Sequence, residues 1–444
     1  EKKLTAEILE RVRKIAKIRE DSKPEFVPGK SAINYAGRVY DEDEMVNLIE
    51  SSLEFWLTAG RWHRRLEARL AKWYGIPGVR LTNSGSSANL LAITSLCSHT
   101  WGDRKLKPGD EVLTVAAGFP TTITPIIQNG LRPVFVDIDL ETANVNVEQL
   151  EAAVSPRTRA VMLAHTLGNP FNLDAVTALC KKHNLWLVED NCDAAGSLYR
   201  GQKTGTFGDI ATLSFYPPHH MTTGEGGAVL CSNAAALKPV ESIRDWGRDC
   251  WCPSGVDNTC GKRFCWKQGD LPEGYDHKYI YSHLGYNLKI TDMQASVGCA
   301  QLKKLDGFVN SRKANWDIIY NGLSDLDDKI ILPKATEHSE PSWFGFLFVL
   351  REGIDRTKVA LELEKRKIQT RMLFGGNMIR QPAMTQLKND SLKAGREMPY
   401  RVASPLTNTD IIMNRGLWVG VYPGLTKDMI SYMVDGIRET LTNV

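Results

Sequence analysis

From about Gly60 to Asn233 short apolar runs alternate with stretches of helical period, and that rhythm predicts the architecture. Glu111–Ala116 (EVLTVA), Pro133–Asp137 (PVFVD), Ala160–Ala164 (AVMLA), Leu185–Val188 (LWLV), Ala211–Phe215 (ATLSF) and Ala228–Cys231 (AVLC) read as strands. Val147–Val154 and Ala175–His183 read as crossover helices. The alternation predicts an α/β fold with a mostly parallel sheet covered on both faces. Ligands then belong at the carboxyl ends of its strands. After Ile290 a long helical pattern, Thr291–Leu326, is expected with a kink. Trp343–Leu350 and Leu417–Val421 flank the helix Arg356–Lys367, which predicts a smaller α+β domain. The division expected is an N-terminal helical segment over 1–55, a large domain over 56–330 and a small C-terminal domain over 331–444.

Composition narrows the class. A chain of 444 residues exceeds one compact core, and its 42% hydrophobic and 24% charged residues are those of a soluble globular protein. A net charge of +3 without clustered basic residues gives no reason to expect nucleic acid. Leu4–Arg19 carries charges throughout and suits an amphipathic helix. No apolar run reaches the roughly 18 residues of a membrane span. The cytoplasm is the expected compartment. Nine cysteines in such a length do not suggest a disulfide scaffold. Cys97, Cys180, Cys231 and Cys299 sit in apolar surroundings and read as buried small hydrophobes.

Three stretches carry candidate chemistry. Thr82-Asn83-Ser84-Gly85-Ser86-Ser87-Ala88-Asn89 opens the apolar helical run Leu90–Cys97, and free N–H groups at such a start suit a phosphate, although the same residues also make ordinary caps. Val188-Glu189-Asp190 places a carboxylate at a strand end, suited to a pyridinium-type N–H or to capping the next helix. The segment Ser214-Phe215-Tyr216-Pro217-Pro218-His219-His220-Met221-Thr222-Thr223-Gly224-Glu225-Gly226-Gly227 reads as a strand end, a turn and a Gly-rich return into a second strand. A further region, Cys250–Ser282, breaks the rhythm with Gly, Cys, Trp and charge. Long irregular loops of this kind are usually functional or disordered. On local spacing alone Cys250, Cys252, Cys260 and Cys265 would form a metal site, with structural zinc or unligated thiols as the other readings.

In combination these motifs resemble the DegT/DnrJ/EryC1/StrS family of nucleotide-sugar aminotransferases and dehydrases, from roughly Trp56 onward. The resemblance implies the fold-type I pyridoxal phosphate (PLP) aminotransferase architecture. It implies phosphate contacts from Gly85, Ser86 and Ser214, an aromatic stacked on the ring from Phe119, the pyridinium partner at Asp190, and a homodimer in which Asn287 reaches the neighbouring subunit's phosphate. The cofactor lysine of that family stands three residues before the threonine and six before the Glu of Gly-Glu-Gly-Gly. Here that position holds His219. An imidazole forms no stable Schiff base with an aldehyde, yet it moves protons near neutrality. Position 193, usually Gln or His in the aminotransferases, is Asp193. His219, Tyr216 and Asp193 are therefore the catalytic candidates, with His220 read as structural and Arg371 and Asn377 as candidates for holding the sugar nucleotide.

Within the family the His-for-Lys dehydrases of the CDP-6-deoxy-4-hexulose 3-dehydrase type are the nearer match. Their cluster ligands follow Cys, fifty-seven residues, Cys, one, Cys, seven, Cys, and Cys192, Cys250, Cys252 and Cys260 reproduce all three intervals. The resemblance implies a [2Fe–2S] cluster on those four, with Cys265 spare. It implies pyridoxamine phosphate (PMP), loss of the C3 hydroxyl from a nucleotide-linked 4-keto-6-deoxyhexose with His219 as base, and reduction through the cluster. Such a reaction serves 3,6-dideoxysugar biosynthesis, as for lipopolysaccharide O-antigen. No Gly-x-Gly-x-x-Gly fingerprint occurs, so a separate NADH-dependent flavin and iron–sulfur reductase is the expected partner. CDP-4-keto-6-deoxy-D-glucose is the expected substrate, with a dTDP-linked 4-keto-2,6-dideoxyhexose as the alternative. A cluster-free GDP-sugar dehydrase and a silent metal-binding scaffold are the rival readings.

Overall fold

Both faces of the central sheet are apolar, and this is what seats it in the middle of the fold. In a computed structural model, which describes residues 1–443, eight strands form that sheet. They are β1 (Gly78–Thr82), β2 (Glu111–Val115), β3 (Arg132–Val136), β4 (Thr158–Ala164), β5 (Trp186–Asp190), β6 (Ile210–Ser214), β7 (Gly227–Cys231) and β8 (Arg401–Val402). Their spatial order is β1-β7-β6-β5-β4-β2-β3-β8. Pairing is parallel from β8 through β6, and antiparallel where β7 joins β6 and β1. Alternate residues of β4 divide between two cores. Val161 and Leu163 pack with Leu113, Val134 and Phe171, whereas Ala160 and Met162 pack with Val112, Leu91 and Trp186. A strand lined on both sides reads as a continuous apolar run, because successive side chains point to opposite faces.

All six expected strands are present with ends shifted by a few residues, and the fold class is as expected. β1 escaped notice because Arg80 interrupts its apolar run at the edge of the sheet. The crossover Leu173–His183 is held by the Asn172 side chain, which accepts the Ala175 N–H, and stops at Asn184 in the left-handed region. The expected crossover Val147–Val154 is only a 3₁₀ turn followed by a single helical turn, Leu150–Ala153.

The long helix runs unbroken from Asp292 to Leu323, so the expected kink is absent. Thr291 and Gln294 form a capping box at its start. Its later turns lead to a three-stranded antiparallel sheet, Ile330–Ile331, Gly345–Leu350 and Gly416–Gly420. Helices Arg356–Lys365 and Lys427–Thr442 complete a core there with Phe346, Phe348 and Leu363. Near the start of the chain, helix Lys2–Asp21 buries no residue and lies on Glu42–Glu54. No helix among the described residues is long and apolar enough to cross a membrane.

Candidate active site and cysteine loop

The carboxyl ends of β5 and β6 and the helix that follows β1 converge on a cavity of about 500 Å³. Helix Gly85–Leu96 points its start at this space, with the Ser84 hydroxyl accepting the Ser87 N–H at 3.0 Å. Gly85 is packed against β6 so closely that a Cβ there would lie 2.4 Å from Ser214 Cβ. The helix start, Ser86 and Ser214 all line this cavity, a cradle suited to an anionic group.

Across the cavity Asp190 ends β5. Its Oδ2 accepts from Asn89 Nδ2 at 2.8 Å and from Thr122 Oγ1 at 2.7 Å, and its Oδ1 from the Cys192 N–H at 3.3 Å. Thr212 Oγ1 in turn donates to Asn89 Oδ1 at 2.6 Å. This network fixes a carboxylate at the cavity wall. Phe119 flanks the opening, edge to face with Phe374. Carboxylate, anion cradle and aromatic flank together fit a flat heteroaromatic ring bearing an anionic arm.

The segment between β6 and β7 folds as expected. The Phe215 N–H donates to Gly226 O, and the Thr222 hydroxyl to Phe215 O. His219 projects from this turn into the cavity. Its Nδ1 donates to the Cys192 carbonyl at 2.7 Å, which leaves Nε2 as the basic nitrogen. The ring stacks on Phe344 with centroids 5.1 Å apart, and Tyr216 meets it edge-on at 5.5 Å. Burial pushes the imidazole down to about 4, so it is a neutral base at neutral pH. Asp193 Oδ1 lies 3.6 Å from His219 Nδ1, and burial reinforced by the Asp190 charge pushes this carboxyl up to about 8. Burial, with a hydrogen bond to Tyr35, raises the Tyr216 phenol to about 12. No lysine lines the cavity among the described residues.

Tyr35 and Phe344 line the cavity although nothing in the sequence singled them out. Arg371, expected only as a nucleotide contact, lies over the Tyr35 ring at 3.9 Å, and both face the cavity. Arg312 is buried behind His219 and donates to the Pro218 and His219 carbonyls at 3.4 and 3.3 Å. Asn377 does not reach the cavity: its side chain caps the turn at Ile379 and donates to Asp410 at 2.8 Å. His220 is a buried structural residue bonded to Ser342 O, as expected. Asn287 is exposed, outside this chain's own cavity, and accepts from Lys289.

The cysteine loop closes at its neck, where the Asp249 N–H donates to Ile280 O and the Ser282 N–H to Gly247 O, each at 2.9 Å. Above the neck its backbone is mostly turns, with one 3₁₀ turn at His277–Tyr279. Cys250, Cys252 and Cys260 line one small pocket, while Cys265 is exposed. Burial opposes ionisation of Cys252, but hydrogen bonds from Thr259 and the Cys260 backbone outweigh it and bring the thiol down to about 7. Such a group of thiols suits a thiophilic metal. The fourth cysteine of the spacing is elsewhere. Cys192 lines the larger cavity, its Sγ 3.9 Å from Thr212 Oγ1, because its strand-end backbone is tied to Asp190 and His219. In its place beside Cys250 and Cys260 stands His277, the ligand atoms of the three lying within 4.8 Å of one another.

The chain is 53% identical to the lipopolysaccharide biosynthesis protein RfbH of Salmonella typhimurium over 93% of each chain. It is also 53% identical to the dTDP-4-dehydro-2,6-dideoxy-D-glucose 3-dehydratase of Saccharopolyspora spinosa, over 95% of this chain and 89% of that one. Among solved structures, the Escherichia coli GDP-4-keto-6-deoxy-D-mannose-3-dehydratase with bound hydrated PLP superposes with a TM-score of 0.79 at 28% identity, covering 91% of this chain and 99% of that one. The fold is that of the PLP-dependent aminotransferases. With residues 39–438 matching its profile, the chain belongs to the DegT/DnrJ/EryC1/StrS aminotransferase family.

Proposed function

We propose that the chain is a nucleotide-sugar 3-dehydratase of deoxysugar biosynthesis that uses a vitamin B6 cofactor as its amine, PMP. The observation that carries this reading is His219, set where the family's lysine would stand, with Nδ1 locked on a carbonyl and Nε2 free. Gly85, Ser86 and Ser214 would hold the phosphate, Asp190 the ring nitrogen and Phe119 the ring face. The exposed position of Asn287 suits a reach into the cavity of a second copy, and so a homodimer. When bound, the cofactor supplies an amine for a sugar ketone and an electron sink for carbon–hydrogen cleavage.

The chain's own residues do the rest. His219 Nε2 accepts a proton from carbon, a step worth typically 10²–10⁴-fold. The Cys192 carbonyl and Phe344 hold the imidazole in one tautomer and one plane. Asp193, held protonated by burial, adds no second negative charge beside Asp190 and offers a proton toward the departing oxygen. Tyr216, which lines the cavity, packs edge-on against the base.

The Saccharopolyspora relative is named for a dTDP-linked 2,6-dideoxy substrate, which moves that sugar ahead of the CDP-4-keto-6-deoxy-D-glucose first expected. The CDP sugar stays as the second reading because the cysteine intervals are those of the CDP-dependent type. We further assign a [2Fe–2S] group to Cys250, Cys252 and Cys260, with Cys192 as the fourth ligand by spacing, reduced by an NADH-dependent flavin and iron–sulfur protein. Three of these four donors share a pocket.

The test is anaerobic incubation of iron-reconstituted protein with PMP, NADH, such a reductase and both nucleotide sugars. A C3-deoxy keto sugar is expected, formed faster from the dTDP substrate. An aminated sugar retaining its C3 oxygen would contradict the proposal.

A further inference from the structure

Arg312 projects from the long helix Asp292–Leu323 into the interior, where only 1% of its surface stays exposed. Burying a guanidinium is costly unless its N–H groups find acceptors. Among the described residues those acceptors are four backbone carbonyls, in two pairs. Nη2 donates to Pro218 O at 3.4 Å and to His219 O at 3.3 Å. Nη1 donates to Trp343 O at 3.3 Å and to Phe344 O at 3.5 Å. The first pair belongs to the turn that carries His219. The second lies just before the strand Gly345–Leu350 and includes the residue whose ring stacks on the imidazole, centroids 5.1 Å apart. The guanidinium carbon is itself 5.7 Å from that ring. One side chain therefore grips both the segment that bears the base and the segment against which the base rests.

We propose that Arg312 is a positioning residue for the base: it holds the His219 turn and the Phe344 backbone in register, so that Nε2 meets the reacting carbon in one orientation. The inference rests on the assignment of His219 as base above. The turn needs an outside tie. Pro217 and Pro218 have no N–H to donate, and the His219 N–H donates to Tyr216 O at 3.0 Å, inside the same turn. His220 adds one link, its Nε2 donating to Ser342 O at 2.8 Å. Arg312 does not line the cavity, so its effect reaches the reaction through His219 and Phe344 alone. An apolar side chain would fill the same space without burying a cation, and a lysine has one nitrogen where the guanidinium has a planar fork that spans both pairs.

The experiment uses the full chain as wild type, Arg312→Lys and Arg312→Gln. PMP affinity is measured for each, then release of label from PMP labelled at C4′, per occupied site, during anaerobic incubation with the dTDP-linked 4-keto-2,6-dideoxyhexose. Cofactor-free crystals show the His219 ring. We expect unchanged PMP affinity, with release slowed about 10²-fold in Arg312→Gln and by less in Arg312→Lys. The Arg312→Gln crystals should show the imidazole turned off the Phe344 ring or in two orientations. Wild-type release per occupied site in Arg312→Gln would overturn the inference. So would a loss confined to PMP affinity or to the yield of folded protein, which is all that a purely structural role predicts. A wild-type crystal in which the guanidinium reaches only one of the two carbonyl pairs would also overturn it, and needs no variant to fold. Wild-type release in His219→Asn would instead sink the assignment of the base, and no release from the wild type itself would sink the proposed function.

Discussion

The cavity at the strand ends and the cysteine loop hold their chemistry in different ways. Around the cavity each functional group is anchored by regular structure: Asp190 by β5 and by donors from two helices, Gly85 by its press against Ser214, His219 by a closed turn and a backbone carbonyl. In the loop no strand or α-helix carries a thiol, and the cysteines are placed by turns, a tied neck and a wall of indoles around His277. A site on rigid strand ends keeps its shape whether or not a ligand is present. A site on a loop takes much of its order from what binds there, so the two should respond independently to damage.

The largest separation of the two should come from His219→Asn. Turnover should fall about 10²–10⁴-fold, while iron content and cofactor affinity stay as in the wild type; equal loss of cofactor binding would show that His219 is mainly structural. Next is Cys260→Ser, expected to remove nearly all bound iron yet leave cofactor absorbance and thermal unfolding of the main transition in place. If the cavity lost its ligand too, the two sites would not be independent. Cys192→Ser sharpens the comparison, because this residue belongs to the cavity by geometry and to the loop by spacing. Iron lost to the extent seen for Cys260→Ser would place its thiol with the metal, and full iron retention would confine it to the cavity wall.

A smaller effect is expected from Asp190→Ala, which strands the Asn89 and Thr122 donors in a buried setting at a cost of about 1–3 kcal/mol. Chemical denaturation would show it, together with weakened cofactor binding; an unchanged midpoint would mean that water replaces the carboxylate. Least of all, Cys265→Ser should leave iron content unchanged and stability within about 0.5 kcal/mol, as for an exposed side chain. Any loss of iron there would reopen the purely local set of four loop cysteines.

Legibility in the sequence followed the physics of each part. Strands such as Ala160–Ala164 were readable because burial on both faces forces unbroken apolar runs. Arg80 hid an edge strand, and Val147–Val154 had helical character but forms only one turn of helix, since a short crossover needs no more. Residues whose role lies in local backbone shape, such as Gly85 and the turn carrying His219, left their mark in a short motif. Contacts made across long separations left none. Tyr35 meets Arg371 only through the fold, Arg312 reaches the His219 carbonyl from the long helix, and the partner of His219 is a backbone carbonyl that any residue at 192 would provide. The cysteine intervals pointed to a metal site but not to His277, which lies beyond the last of them and joins Cys250 and Cys260 only through the fold.

The central claim is that His219 Nε2 moves the proton on which dehydration depends. It is tested most directly by the release of hydrogen label from PMP labelled at C4′, during anaerobic incubation with the nucleotide sugar and without reductant. The account predicts rapid loss of label to solvent with the wild type and almost none with His219→Asn at equal cofactor occupancy. Wild-type release rates in the asparagine variant would contradict it.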